Sequence, residues 1–229
     1  MKTGILIQAR MSSERFPGKV LHEVNNKPML QYLLERLEHG SHGLPLVVAT
    51  SSEPSDAPIL EFCTALGVTC FRGSLGDVAG RFREAAERYG FEAFVRVSGD
   101  SPLLDPTLVE LAVRTFLEKG GDLVTNVQER TFPKGQSVEV VRKSSFDRAC
   151  ACMTEPADRE HVTRYLYLHP ESFVIHNLRF EEPCGEVHLS VDTPEDMDRF
   201  RRMVLSMERP HWEYDLRDAL QLFRNVCEA

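Results

Sequence analysis

The feature that most constrains the fold is the steady exchange of short apolar runs for helical periodicity along the chain. A strand-like run near 3–9 precedes a helical pattern near 28–39, a strand near 45–50 precedes a helix near 56–66, and a short strand near 68–72 precedes a helix near 77–89. "AFVRVSG" leads to a helix near 105–119, and "DLVTN" and the runs 137–142, 172–179 and 186–191 read as further strands. In the first helix Met29, Leu30, Leu33, Leu34 and Leu37 share one face behind Pro28, which marks a core face. Strands separated by helices pair in parallel through crossovers, so the pattern predicts an α/β fold with a mostly parallel sheet covered on both sides. At 229 residues and 42% hydrophobic content the chain reads as one domain over 1–229, with 209–229, including Trp212 and "YDLRDALQLFRNV", as a helical extension.

A net charge of -8 excludes a general nucleic-acid binder, which needs cations spread along an extended surface. No apolar run approaches the roughly 18 residues that cross a bilayer, and charge follows the first strand too quickly for a signal peptide. The expectation is a soluble cytoplasmic protein with no membrane or nucleic-acid partner. The six cysteines form no C-x-x-C pair, so free, mostly buried thiols are expected, with Cys150 and Cys152 on a small-residue helix face.

Against that acidic balance, the first 30 residues carry Lys2, Arg10, Arg15, Lys19 and Lys27 against only Glu14 and Glu23. In open α/β sheets ligands bind beyond the carboxyl ends of the strands, which is where "ARMSSERFPGKVL" falls. Arg10, Ser13, Arg15 and Lys19 supply donors, Pro17 stiffens the turn and Gly18 permits close backbone approach, a composition suited to a polyphosphate. A solvated loop neutralised by Glu14 and Glu23 is the plain alternative. "GKV" is not the G-K-[ST] of a P-loop and no G-x-G-x-x-G follows the first strand, which removes most support for ATPase and dehydrogenase readings.

Two further loops add carboxylates. "VRVSGDSPLLDP" ends a strand at Gly99-Asp100, and "HLSVDTPEDMDRF" carries Val187–Val191 to Asp192 ahead of a helix beginning at Thr193-Pro194-Glu195-Asp196. A hard dication such as Mg2+ takes one or two carboxylates plus substrate phosphates, so Asp100 and Asp192 opposite the basic loop form a candidate metal site. Asp100 as a turn residue, and Asp192 or Thr193 as a helix cap, are the competing readings.

Taken in order, "IQARMSSERFPGKVL", "NKPMLQYLLERL", "FRGSLGDVAGRF", "VRVSGDSPLLDP", "RTFPKGQSVEV", "REHVTRYLY" and "SVDTPEDMDRF" resemble the SpsF-type spore coat polysaccharide biosynthesis proteins of the cytidylyltransferase family, over about residues 3–204. They are more distantly similar to the CMP-sugar synthetases, which share the R-x-x-S-x-R-x-P-G-K loop and the late D-T-P-E-D element. The resemblance implies a three-layer α/β/α nucleotide-diphospho-sugar transferase (GT-A-like) fold with a mostly parallel mixed sheet. It also implies CTP and a sugar acceptor as substrates, Mg2+ as cofactor, and transfer of CMP with release of pyrophosphate.

By the same resemblance Ala9, Arg10, Ser13, Arg15 and Lys19 hold the triphosphate, Asp100 and Asp192 the metal, and Arg10, Lys19 and Asp100 form the catalytic set. Thr50, Arg72 and Asp77 frame the base or ribose, and Glu139, Glu160 and His161 face the sugar. A lone His161 beside Glu160 at the head of an apolar run also fits a surface or packing residue. "KGQSVEV" has Ser137 where relatives commonly have Asp, a departure that bears on acceptor choice and activity. A helix over 160–168 carries Val162, Tyr165, Leu166 and Leu168, an apolar surface that fits either core packing or the seam of an expected homodimer. A glycosyltransferase of the same fold would carry a D-x-D metal motif where this chain has Gly99-Asp100-Ser101, and a noncatalytic binding protein would have lost the metal pair or the cations.

Overall fold

A computed structural model describes residues 1–41 and 43–228. Strand β1 (Thr3–Gln8) leads through the basic loop to a small hairpin, β2 (Glu23–Val24) and β3 (Lys27–Pro28), and then to α1 (Met29–Gly40). Three strand-helix units follow: β4 (Leu46–Ser51) with α2 (Ala57–Ala65), β5 (Thr69–Gly73) with α3 (Val78–Arg88), and β6 (Ala93–Ser98) with α4 (Pro106–Lys119). The remainder comprises β7 (Leu123–Thr125), β8 (Glu139–Arg142), α5 (Lys143–Cys152), α6 (Pro156–Glu160), α7 (Arg164–Leu168), β9 (Ile175–Asn177), α8 (Pro194–Leu205) and α9 (Leu216–Glu228).

The main sheet has the order β5-β4-β1-β6-β8-β7-β9. Its first four strands are mutually parallel, β8 runs antiparallel between β6 and β7, and β9 pairs parallel with β7. β1 sits inside the parallel half, and its Ile5, Leu6 and Ile7 are fully buried because both faces are covered. Ile5 and Ile7 pack with residues of α1, α2, α4, α8 and α9, whereas Leu6 packs with α3, α5 and α7 on the opposite face. The result is the three-layer sandwich the alternating pattern implies.

Departures from the sequence reading have local causes. Residues 186–191 alternate apolar and polar like a strand, yet make a single parallel bridge, Lys134 with His188, with Glu186 in a turn and Ser190 in a bend. The run 172–179 contributes only Ile175–Asn177. The helix expected over 160–168 is broken at His161–Thr163, where the Arg164 N–H bonds back to the His161 carbonyl at 2.6 Å. The β2–β3 hairpin, not anticipated, turns on Asn25 and Asn26, both in the left-handed region that asparagine tolerates. Of the six thiols only Cys63 and Cys150 are buried and Cys152 and Cys227 are exposed, so "mostly buried" does not hold. Among the described residues no helix is long and apolar enough to cross a membrane.

Arg36, wholly buried on α1, ties the C-terminal segment to the body of the fold. Its Nε donates to the Leu104 carbonyl at 2.9 Å, Nη2 to that of Tyr214 at 2.6 Å, and Nη1 to that of His211. Burial lowers its pKa to about 10, with Asp105, Asp215 and Asp218 acting in opposition. Arg36→Leu deprives three carbonyls of their donor at a cost of roughly 1–3 kcal/mol for each left unsatisfied, and urea denaturation is expected to show a loss of about 3 kcal/mol or more. A loss within about 0.5 kcal/mol, the range of an ordinary surface change, would contradict this role.

Candidate active site

The carboxyl ends of β1 and β6 and the segment before α8 enclose a cleft of about 270 Å³. The basic loop is shaped by its own backbone and by a buried acid. The N–H of Gly18 bonds to the Met11 carbonyl at 2.8 Å, and the N–H of Met11 bonds to Asp56 Oδ1 at 2.7 Å. Gly18, at φ 75°, supplies the left-handed step into the short 3-10 turn Lys19–Leu21.

That turn sends Lys19 inward. Its side chain is 8% exposed, and its ammonium meets Asp100 Oδ2 at 3.2 Å, Asp192 Oδ1 at 2.9 Å and the Val191 carbonyl at 2.7 Å. Three acceptors match the three donors of an ammonium, which is how a lysine is accommodated away from water. Arg15 reaches the same Asp192 oxygen at 3.1 Å from a largely exposed position. Burial alone raises the Asp192 pKa, but hydrogen bonding and charge from Lys19, and then Arg15, hold the carboxyl below its ordinary value.

Two close backbone approaches bring the aspartates together. A Cβ on Gly99 would lie 2.9 Å from the Gln8 carbonyl, so glycine lets the end of β6 close against β1 and deliver Asp100. Gly135, at φ 91°, would place a Cβ 2.4 Å from the Ser190 nitrogen, and its absence admits the segment leading to Asp192. The Val191 N–H then bonds to the Asp100 carbonyl at 2.8 Å, locking the two chains side by side. The cap of α8 is a capping box between Thr193 and Asp196, which leaves the Asp192 carboxylate to the cleft.

Of the residues singled out in the sequence, Ala9, Arg10, Ser13, Arg15, Lys19, Asp100, Asp192 and Glu160 line this cleft. Arg10 and Glu160 face each other across it at 3.5 Å. The others lie outside its lining. Thr50 is buried at the end of β4 with its hydroxyl unpartnered among the described residues. Arg72 donates to the carbonyls of Ser51 and Glu53, at 3.0 and 3.1 Å. Asp77 caps α3 through the Gly80 N–H at 2.7 Å and pairs with Arg159 at 3.0 Å. Glu139 is buried between Arg96 and the Tyr167 hydroxyl, and His161 is exposed at the end of α6.

Gln8, Glu14, Val20 and Ser98 line the cleft without having been singled out. For Gln8 and Ser98 a signal existed: each is the polar residue that closes a strand whose carboxyl end faces the crevice. Ser137 lies two residues ahead of β8, outside the cleft lining, and its hydroxyl accepts from Arg130 Nη2 at 3.2 Å.

This architecture is the nucleotide-diphospho-sugar transferase fold, its strand-end cleft is lined by three cations and four acids, and the comparisons make the chain a nucleotidyltransferase. The family model described as cytidylyltransferase matches residues 4–213, and the chain belongs to that family. It is 31% identical over 215 residues to the spore coat polysaccharide biosynthesis protein SpsF of Bacillus subtilis, covering 90% of this chain and 88% of that one. A cytidylyltransferase from Leptospira borgpetersenii superposes with a TM-score of 0.94 at 31% identity, covering 100% of this chain and 96% of that one. A CMP:2-keto-3-deoxy-manno-octonic acid synthetase complexed with CTP shares the fold, with a TM-score of 0.70 at 17% identity over 90% of this chain and 99% of that one.

Replacing Lys19 by Met removes the charge shared by the two aspartates, and the remaining carboxylates then repel one another. Carboxyl-detected NMR is expected to find Asp192 titrating below its ordinary value of 3.8 in the parent chain and shifting upward in Lys19→Met. An unmoved Asp192 titration would show that Lys19 does not set its charge.

Proposed function

We propose that this enzyme is a CTP-dependent cytidylyltransferase that makes a CMP-sugar for surface polysaccharide biosynthesis. The observation that carries the reading is the meeting of Lys19 with Asp100 and Asp192 beside the Arg10, Ser13 and Arg15 loop. The similarity to a spore coat polysaccharide biosynthesis protein supports the pathway class, and that to a synthetase complexed with CTP supports the nucleotide.

In this reading Arg10, Ser13, Arg15 and Lys19 grip the phosphates, with Ala9 beside them, and Arg10, Lys19 and Asp100 are the catalytic set. A sugar oxygen attacks the α-phosphorus in line, the new P–O bond replaces the bond to the β-phosphate bridge, and pyrophosphate leaves. Cationic donors fixed before the reaction stabilise the charge that grows on the phosphoryl and leaving oxygens. The ion pairs of Arg10 with Glu160 and of Arg15 with Asp192 are weak enough at this exposure to exchange for phosphate.

The donor set fits Mg2+: two carboxylates converge on one ammonium through one oxygen each, which leaves the second oxygen of each able to accept a hard dication beside substrate phosphates. When bound, the ion would neutralise developing phosphate charge. For the nucleoside the reading keeps Thr50, Arg72 and Asp77 near the base or ribose, and for the sugar Glu139, Glu160 and His161; Glu160, on the cleft wall, has the most direct support. Six free thiols suit a reducing, cytoplasmic compartment. Of the residues expected at the dimer seam Val162 and Leu166 are buried in the core, so the proposed seam narrows to the surface around exposed Leu168 on α7, beside which Val174 is also exposed. Light scattering at twice the chain mass would support that seam, and a monomer at working concentration would overturn it.

The enzymatic reading is tested by pyrophosphate release from CTP with a panel of sugar acceptors. Release is expected to require Mg2+, to stop with chelator and to fall by about 100-fold or more in Asp100→Ala. Release indifferent to that change would remove the metal role. Thermal stabilisation by sugar nucleotides but not by CTP would replace the reading with a glycosyltransferase.

A further inference from the structure

Arg81, in the first turns of α3, is completely buried and only partly bonded. Its Nη1 donates to the Ser74 carbonyl, while Nε and Nη2 have no partner among the described residues. These two N–H groups share one edge of the guanidinium and point in parallel, forming a fork for two adjacent coplanar acceptors. A fork held out of water and left empty is costly, and such a site calls for an explanation.

The nearby acids do not fill it. Asp56 uses Oδ1 on the Met11 N–H and Oδ2 on the N–H and hydroxyl of Ser51. Asp77 uses Oδ1 on the Gly80 N–H and Oδ2 on Arg159. Burial, and secondarily repulsion from Arg10, draws the Arg81 pKa down to about 10 against the pull of Asp56 and Asp77, so it stays charged at neutral pH. The fork thus lies at the carboxyl edge of the sheet, between the basic loop that Asp56 anchors and the turn after β5. That turn is held by the Asp77 N–H on Ser74 Oγ at 3.0 Å and by Arg81 on the Ser74 carbonyl, while Ser74 and Gly76 are exposed and a Cβ on Gly76 would meet nothing within 4 Å.

We propose that Arg81 reads the nucleobase, its Nε and Nη2 donating together to N3 and O2 of cytosine once the turn at 74–76 lifts to admit the base. The proposal rests on the CTP reading and deepens it. Cytosine presents those two acceptors side by side, whereas uracil carries a hydrogen on N3 and would set donor against donor. The basic loop reads only phosphate, common to all nucleoside triphosphates, so discrimination between bases requires a group of this kind elsewhere.

Isothermal titration of the full chain with CTP, UTP, GTP, 3-deaza-CTP and inorganic triphosphate tests this. The parent chain is expected to bind CTP roughly 10- to 100-fold more tightly than UTP or 3-deaza-CTP, which lacks the N3 acceptor, as for loss of a charge-assisted hydrogen bond. Arg81→Lys keeps the charge but loses the fork; it is expected to collapse the CTP-to-UTP preference while inorganic triphosphate binds within about twofold of the parent, because the positive charge beside the basic loop is kept. Equal binding of CTP and 3-deaza-CTP by the parent chain overturns the assignment even if the variant fails to fold. So does an unchanged CTP preference in folded Arg81→Lys, and so does a preference for GTP. Binding CTP no more tightly than inorganic triphosphate would instead overturn the CTP reading beneath it.

Discussion

The arrangement of the cleft depends on one buried cation. The Lys19 ammonium is surrounded by two carboxylates and a backbone carbonyl, and those acceptors come from chain segments more than ninety residues apart. Without a cation between them Asp100 and Asp192 would repel, and without the aspartates an ammonium 8% exposed would be poorly solvated. The three groups therefore hold each other in place. The sheet edge, the segment before α8 and the basic loop can close together only because that exchange is satisfied.

Backbone economy makes the contact possible. Gly99 and Gly135 stand where a side chain would strike a neighbouring main chain, one bringing the end of β6 against β1 and the other admitting the segment before Asp192. The hydrogen bond from Val191 to the Asp100 carbonyl converts those approaches into a fixed spacing. Helix capping is handled by Thr193 and Asp196, and Asp192, one residue upstream, gives its N–H to Asp196 Oδ2 at 3.0 Å but keeps its carboxylate for the cleft. The capping reading of this segment thus belongs to Thr193 and not to Asp192.

The layered fold and much of the cleft were legible because their signals are local. Apolar runs exchanging with helical periodicity define parallel strands, strand ends define where polar residues gather, and the basic loop, Asp100 and Asp192 all follow strand-like runs. What escaped depends on distant partners. Residues 186–191 alternate as a strand does, but pairing along a strand needs a neighbour in register, and only Lys134 bridges there. The break at His161–Thr163 comes with an ion pair between Arg164 and the buried Asp158, which periodicity does not reveal. Glu139, expected on the sugar side, is instead enclosed by Arg96 from β6 and Tyr167 from α7, partners that its own segment does not reveal. Arg81 sits in an apparently ordinary amphipathic helix, and only the three-dimensional surroundings show that its fork is empty.

The charge of the chain acquires a specific sense from this geometry. A net charge of -8 opposes a polyanion at long range, so affinity for a triphosphate has to come from contacts inside the cleft, where low polarizability and fixed donors strengthen each interaction. The cations there are neutralised internally, Arg10 by Glu160, Arg15 by Asp192 and Lys19 by both aspartates. In the proposed reading an incoming triphosphate would exchange partners on Arg10 and Arg15, both partly exposed, more readily than on Lys19, whose three donors are already engaged. Lys19 accordingly acts first as the organiser of the two acids, and the outer arginines supply the readily exchanged charge that draws the phosphates to them.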